Sequence, residues 1–257
     1  MPEPAPKADS VGPEQKADML GTEPRGAMVA PSLMAAYVLV AVLNVIAEAT
    51  ANQNGVTLTK PLLMPLLLAW VVAMAWRRWS VPLRWLAIGL VFAWAGDLLL
   101  MGEGDLSFVL GLGAFLVMQV CYLVAFLRVP GPGLVRAWPI AVVPYALIWV
   151  VLVVLVWPGA GDMRIPVLVY SAVIVAMALG ALDLVLRLPQ ALAWRVTAGA
   201  LLFIVSDGLI ALTAFGPLTE SVQTSAAIMA TYTAAQGLIV SGFVRGLLDP
   251  PRRRTTR

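Results

Sequence analysis

Residues 84–101, RWLAIGLVFAWAGDLLLM, form an apolar run of close to bilayer length with one aspartate, Asp97, near its end. Residues 194–214, WRVTAGALLFIVSDGLIALTA, repeat the arrangement around Asp207. A spanning helix needs ~20 predominantly apolar residues. An ionised aspartate at mid-bilayer costs roughly 2.5–3.5 kcal/mol on the gentlest scale, so intramembrane carboxylates are functional by default. The two runs therefore predict a membrane fold and point to the chemistry inside it.

The rest of the chain agrees. Of 257 residues, 61% are hydrophobic and 12% charged, whereas a soluble domain carries about 25% charged residues. Lipid must be the solvent for most of the surface. Eight apolar segments follow one another: Ser32–Glu48, Leu58–Trp76, Arg84–Met101, Ser107–Arg128, Ala137–Trp157, Ile165–Arg187, Trp194–Ala214 and Ala226–Leu247. Turn chemistry separates them, as at Asn52-Gln53-Asn54-Gly55, Gly102 to Asp105, Pro130-Gly131-Pro132-Gly133, Pro158-Gly159 and Phe215-Gly216-Pro217. The expected fold is all-α and integral to the membrane, with eight transmembrane helices over residues 32–248. A disordered, Pro- and charge-rich tail is expected over 1–31 and a basic tail over 249–257.

With eight spans, every Lys and Arg except Lys60 and Arg164 falls on one side. The positive-inside rule then places both termini in the cytoplasm of a cell (inner) membrane protein. An internal repeat is hinted at. Lys60-Pro61 and Arg164-Ile165-Pro166 open corresponding segments, VVAMA (71–75) resembles IVAMA (174–178), and the same spacing separates Asp97 from Tyr122 and Asp207 from Tyr232. Two parallel four-helix halves would explain this; chance similarity of apolar helices would also.

The net charge of +3 is spread over loop ends, which is no nucleic-acid signature. The absence of histidine removes imidazole as base, nucleophile or ligand, and the lone Cys121 argues further against zinc or haem. No metal or cofactor is expected.

The remaining polar groups gather in the outer half and middle of the membrane. Glu48 ends the first segment, with Asn44 one turn below; Gln119, Tyr122, Tyr232 and Gln236 lie deeper. Glu48 reads as a solvated interface residue or as part of a site. The tyrosines and glutamines read most simply as interhelical hydrogen bonds. Lys60 followed by Pro61 reads as a cation at a helix start, with proline as first helical residue, which suits an anion such as phosphate. Snorkelling to water would also explain it. Asp183 beside Arg187 reads as a local i,i+4 ion pair. Gly96 invites a neighbouring helix close to Asp97, and Gly242 with Gly246 forms a GxxxG packing signal.

A carboxyl group in low dielectric tends to keep its proton, and two nearby carboxyls can divide acid and base roles. That suits acid-initiated hydrolysis of a lipid-like substrate without metal or imidazole.

Several pieces carry a resemblance: KPL at 60–62, GDLLLM at 96–101, FVLGLGAFLVMQVCYLVAF at 108–126, the Pro166–Tyr170–Met177 spacing, GALLFIVSDGLIAL at 199–212 and TYTAAQ at 231–236. Together the chain resembles the YhhN-like lysoplasmalogenase family of eight-helix membrane proteins. The resemblance implies hydrolysis of the vinyl ether bond of lysoplasmalogen-type lysophospholipids, to a fatty aldehyde and a glycerophospho-alcohol. It implies Asp97 and Asp207 as the catalytic carboxyl pair, Lys60 on the phosphate, and Tyr170, Tyr232 and Gln236 ordering the pair or the head group. Asn44, Glu48, Gln119 and Tyr122 complete the candidate substrate-binding set. Members often carry histidine where Gln119 stands, so any imidazole role there cannot apply. The partners implied are the lysolipid substrate and the surrounding membrane lipid, with no nucleic acid.

Two other readings stay open at this stage. An intramembrane aspartyl protease also uses two helix-borne aspartates, but Trp94 precedes Ala95-Gly96-Asp97 where such enzymes carry GxGD. A proton-coupled or lipid-type transporter would suit parallel halves and midplane polar groups.

Overall fold

The computed structural model describes residues 25–249. Eight helices among them are long and apolar enough to cross a membrane, as the hydropathy pattern predicts. Their α-helical parts are α1 (Arg25–Ala49), α2 (Gln53–Met74), α3 (Val81–Leu99), α4 (Asp105–Leu127), α5 (Val142–Val156, whose span begins at Pro139), α6 (Arg164–Asp183), α7 (Gln190–Ala214) and α8 (Val222–Leu248).

Most boundaries lie within a turn of expectation; three differ for physical reasons. α1 begins at Arg25, so residues 25–31 are helical where a tail was expected; residues 1–24 and 250–257 lie outside the described residues. α5 starts late because Trp138-Pro139 interrupts it: a short helical turn (Leu134–Ala137) and a 3-10 turn (Pro139–Ala141) precede Val142. α2 starts early, at Gln53, because the Asn52 side chain caps it by accepting from the Gly55 N–H at 3.0 Å.

This last difference corrects the reading of Lys60. Pro61 is not the first helical residue but lies inside α2, as does Pro65. Lys60 therefore sits about two turns into the helix, away from its free N–H groups, and the helix-start anion site does not exist there. Proline inside a membrane helix must have its lost hydrogen bond replaced. Pro65 cannot donate to the Pro61 carbonyl; the Trp94 indole N–H does so instead, at 3.0 Å. The same bond ties α2 to α3.

Sequential helices pack in pairs from α1 to α4. α4 then packs on α6 rather than α5, α6 on α7, α7 on α8, and α8 closes the ring on α1. α5 lies outside this ring, against α6 and α7. It is the least enclosed span, and α8 the most. Two equivalent halves would match the α8–α1 contact with α4 on α5; the packing instead treats the halves unequally.

Small residues set the closest approaches, as expected where lipid supplies no hydrophobic drive between helices. A Cβ on Gly199 of α7 would lie 2.8 Å from the Ala235 carbonyl oxygen of α8, and one on Gly242 of α8 would lie 2.9 Å from the Leu192 carbonyl oxygen of α7. Gly242 and Gly246 do serve packing, the latter against Leu188. Gly96 likewise admits the Phe115 ring of α4 beside Asp97.

At the end of α6 the expected ion pair is present: Arg187 Nη2 to Asp183 Oδ2, 2.7 Å. Asp183 also accepts from the Val135 backbone N–H at 2.7 Å, which pins the loop between α4 and α5. Asp183→Ala strands that N–H and leaves the guanidinium only its long bonds to the Pro132 and Val129 carbonyls, each 3.4 Å. It is expected to cost about 1–3 kcal/mol, read as a lower unfolding temperature of the detergent-solubilised protein.

Candidate active site

Asp97 lies in the last turn of α3 and is 2% exposed. Its Oδ2 accepts from the Tyr232 hydroxyl of α8 at 2.9 Å. The Tyr232 ring is held edge-on by Phe115 of α4 (centroids 5.8 Å) and Phe203 of α7 (5.7 Å). Neighbouring helices thus fix the donor that meets Asp97, and geometry of that kind is what preorganises a site.

Asp207, on α7, has two donors on one oxygen. The Tyr170 hydroxyl of α6 and the Gln119 amide of α4 (3.1 Å) both donate to Oδ2. The same Gln119 Nε2 reaches the Tyr170 oxygen at 3.2 Å. Gln119 is fully buried, and its Oε1 has no partner among the described residues.

Both carboxyl groups line one cavity, with Lys60, Tyr170 and Tyr232. Every helix except α1 contributes to its wall. Its volume of about 100 Å³ is several times the ~10–15 Å³ that holds one water. α3 and α7 are not among the closely packed helix pairs; the cavity is what the two aspartates share. The other hydroxyls of the wall are occupied. Ser206 donates to the Ile228 carbonyl at 3.2 Å, and Ser171 donates to the Leu168 carbonyl while accepting from the Trp149 indole, each at 3.0 Å. The remaining polar chemistry of the cavity is therefore two carboxyls, each holding a tyrosine hydroxyl, and one ammonium group in an apolar wall.

The remaining sequence candidates lie elsewhere. Gln119 acts from behind Asp207 and Tyr170. Tyr122 donates to Gln236 Oε1 at 2.7 Å, joining α4 to α8 in the interior, and neither residue is in the cavity wall. Asn44 donates to Thr59 Oγ1 at 2.9 Å, a strut between α1 and α2. Glu48 is half-buried and also outside the wall. Sequence reasoning passed over Phe115 and Phe203, which hold Tyr232. The signal that could have found them was periodicity. Phe115 precedes Gln119 by one turn and Phe203 precedes Asp207 by one turn, so each shares the face of a polar residue already singled out.

Comparison with known proteins bears on this site. The family model described as "YhhN family" matches residues 55–243, which include both aspartates, both cavity tyrosines and Lys60. Two relatives named "Lysoplasmalogenase", from Mycobacterium bovis and Mycobacterium tuberculosis, are each 36% identical over 169 residues. The alignments cover 63% of this chain and 61% of each relative, so the chain spans less than two thirds of the relatives' length. No solved structure matches.

Proposed function

This chain belongs to the YhhN family, and from that premise we propose that it hydrolyses the vinyl ether bond of lysoplasmalogen-type lysolipids within the membrane. The observation that carries the proposal is the shared cavity of Asp97 and Asp207, apolar apart from groups suited to proton transfer and anion binding. The relatives' name supports the same reading.

The chemistry needs an acid and a base, which two carboxyls supply. One carboxyl gives its proton to the vinyl carbon distal to the ether oxygen. The C=C electron pair forms the new C–H bond and leaves an oxocarbenium ion at the carbon bearing oxygen. The second carboxylate stabilises that cation and takes a proton from the water that attacks it. The resulting hemiacetal then collapses: its hydroxyl returns a proton to the first carboxylate while the second, now protonated, carboxyl protonates the glycerol oxygen, which leaves as the alcohol, giving the fatty aldehyde and the glycerophospho-alcohol. Two donors converging on Asp207 Oδ2 suit the residue that carries negative charge. Asp97, with Tyr232 alone, then serves as the acid.

Lys60 binds the phosphate from within the cavity wall. Lys60→Met is expected to raise KM for the phosphorylated substrate about tenfold at nearly unchanged kcat, the signature of lost uniform binding. Hydrolysis of an alkenylglycerol that lacks phosphate should change little. The distribution of Lys and Arg supports an orientation with both termini in the cytoplasm of the cell membrane. The site then opens toward the outer half of the bilayer.

The reading is tested with the purified full chain in phosphatidylcholine vesicles supplied with lysoplasmalogen. Stoichiometric release of fatty aldehyde and glycerophospho-alcohol is expected. Uptake of substrate without breakdown would mark a carrier and overturn the hydrolase.

A further inference from the structure

α5 adds little to the closed ring, yet it supplies Leu152, Val153 and Val156 to the cavity wall. Its opposite face, including Val150, Val151 and Val154, is exposed. The Trp149 indole, one turn before Leu152 and Val153, donates to Ser171 of α6 at 3.0 Å. That bond fixes the rotation of α5 and so keeps the three cavity residues turned inward.

Leu152 also borders the reacting groups. A Cβ added to Gly208, the residue after Asp207, would lie 3.4 Å from a Leu152 methyl carbon. Val167 and Ile174 of α6 continue the same apolar wall beside Tyr170. By contrast, the ammonium of the cavity comes from α2, whose packed neighbours are α1, α3 and α8. The cavity therefore has a cationic side and a hydrocarbon side, with acid and base between them. An apolar wall of this kind gains dispersion contacts when an apolar guest lies against it.

We infer that the α5 face formed by Leu152, Val153 and Val156 is the wall against which the substrate's hydrocarbon tail lies, and that it sets the tail bulk accepted. The inference rests on the vinyl ether hydrolase reading. It adds residues that discriminate among substrates with the same head group.

The test compares kcat/KM for lysoplasmalogens of one head group with short and long alkenyl tails, using the full chain in phosphatidylcholine vesicles. Leu152→Phe is expected to shift the long-to-short ratio about tenfold or more toward the short tail, the scale of a few methylenes in an apolar pocket. Leu152→Ala, which relieves rather than crowds the wall, should shift it the other way. Val154→Phe, on the same helix but 64% exposed on the opposite face, should leave the ratio unchanged. Turnover with an unaltered ratio in both Leu152 variants would overturn the tail wall alone. Absence of turnover in the wild type would remove the hydrolase reading and this inference with it. Should Leu152→Phe fail to fold, the Leu152→Ala shift carries the test.

Discussion

Asp97→Asn and Asp207→Asn are each expected to lower aldehyde release by about 10²–10⁴-fold, the usual contribution of a positioned acid or base. Asparagine keeps the shape of the side chain and one carbonyl oxygen. The Tyr232 hydroxyl can still donate at position 97, and Tyr170 or Gln119 can still donate at position 207, so folding should survive both changes. What disappears is the transferable proton in one case and the negative charge in the other. Groups that act as one unit are strongly non-additive. The double variant should therefore be hardly slower than either single one. Near-normal turnover in either single variant, with wild-type unfolding temperature, would sink the assigned chemistry. Loss of turnover accompanied by loss of the fold would instead be a packing effect, which the unfolding measurement separates.

Membrane class and helix number were legible because hydropathy in lipid is nearly a one-dimensional signal: length and polarity decide it without knowledge of partners. Asp97 and Asp207 were also visible as chemistry-bearing residues, since a carboxyl group inside an apolar run is costly to keep in hydrocarbon. The pairing of those residues was not. The equal spacing of Asp97 from Tyr122 and of Asp207 from Tyr232 hinted at an internal repeat and named no bonding partners. The bonds formed are Asp97 with Tyr232 and Asp207 with Tyr170, in a bundle where α8 closes the ring on α1 and α6, not α5, lies beside α4. Hydrogen bonds across a bundle depend on that packing order, and no local pattern encodes it.

Lys60 illustrates a second limit. Asn52, read in the sequence only as part of a turn, is the cap of α2, whereas Pro61 was read as its first helical residue. The cap prevailed because α1 and α2 are joined by a tight hairpin, in which the Asn52 N–H also donates to the Ala47 carbonyl at 2.8 Å. Proline was tolerated farther in because an indole from another helix replaced a lost donor. That replacement comes from a residue distant in sequence, so reading α2 alone could not reveal it.

The backbone-to-backbone approach of α7 to α8 at Gly199 yields the largest expected effect on stability. Gly199 has no room for any side chain: a Cβ there would lie 2.8 Å from the Ala235 carbonyl oxygen and 2.9 Å from the Ile239 backbone nitrogen. Both atoms belong to the α8 backbone and cannot turn aside as a side chain would. Gly199→Leu must therefore push α7 away from α8. Overpacking of this kind typically costs about 1–3 kcal/mol and occasionally more, and a rigid backbone obstacle places it at the upper end. The consequence reaches the site, because α7 carries Phe203 and Asp207 while α8 carries Tyr232. Separating the helices loosens the Phe203–Tyr232 contact and with it the donor to Asp97. Gly113→Leu on α4 is the matched control, since nothing lies within 4 Å of a Cβ at that position. Gly199→Leu should lower the unfolding temperature sharply and abolish turnover, Gly199→Ala should fall between, and Gly113→Leu should match the wild type in both measurements. Equal unfolding temperatures for the two leucine variants would mean that α7 and α8 do not approach as closely as described. The fixed position of Tyr232 over Asp97 would then lose its physical basis.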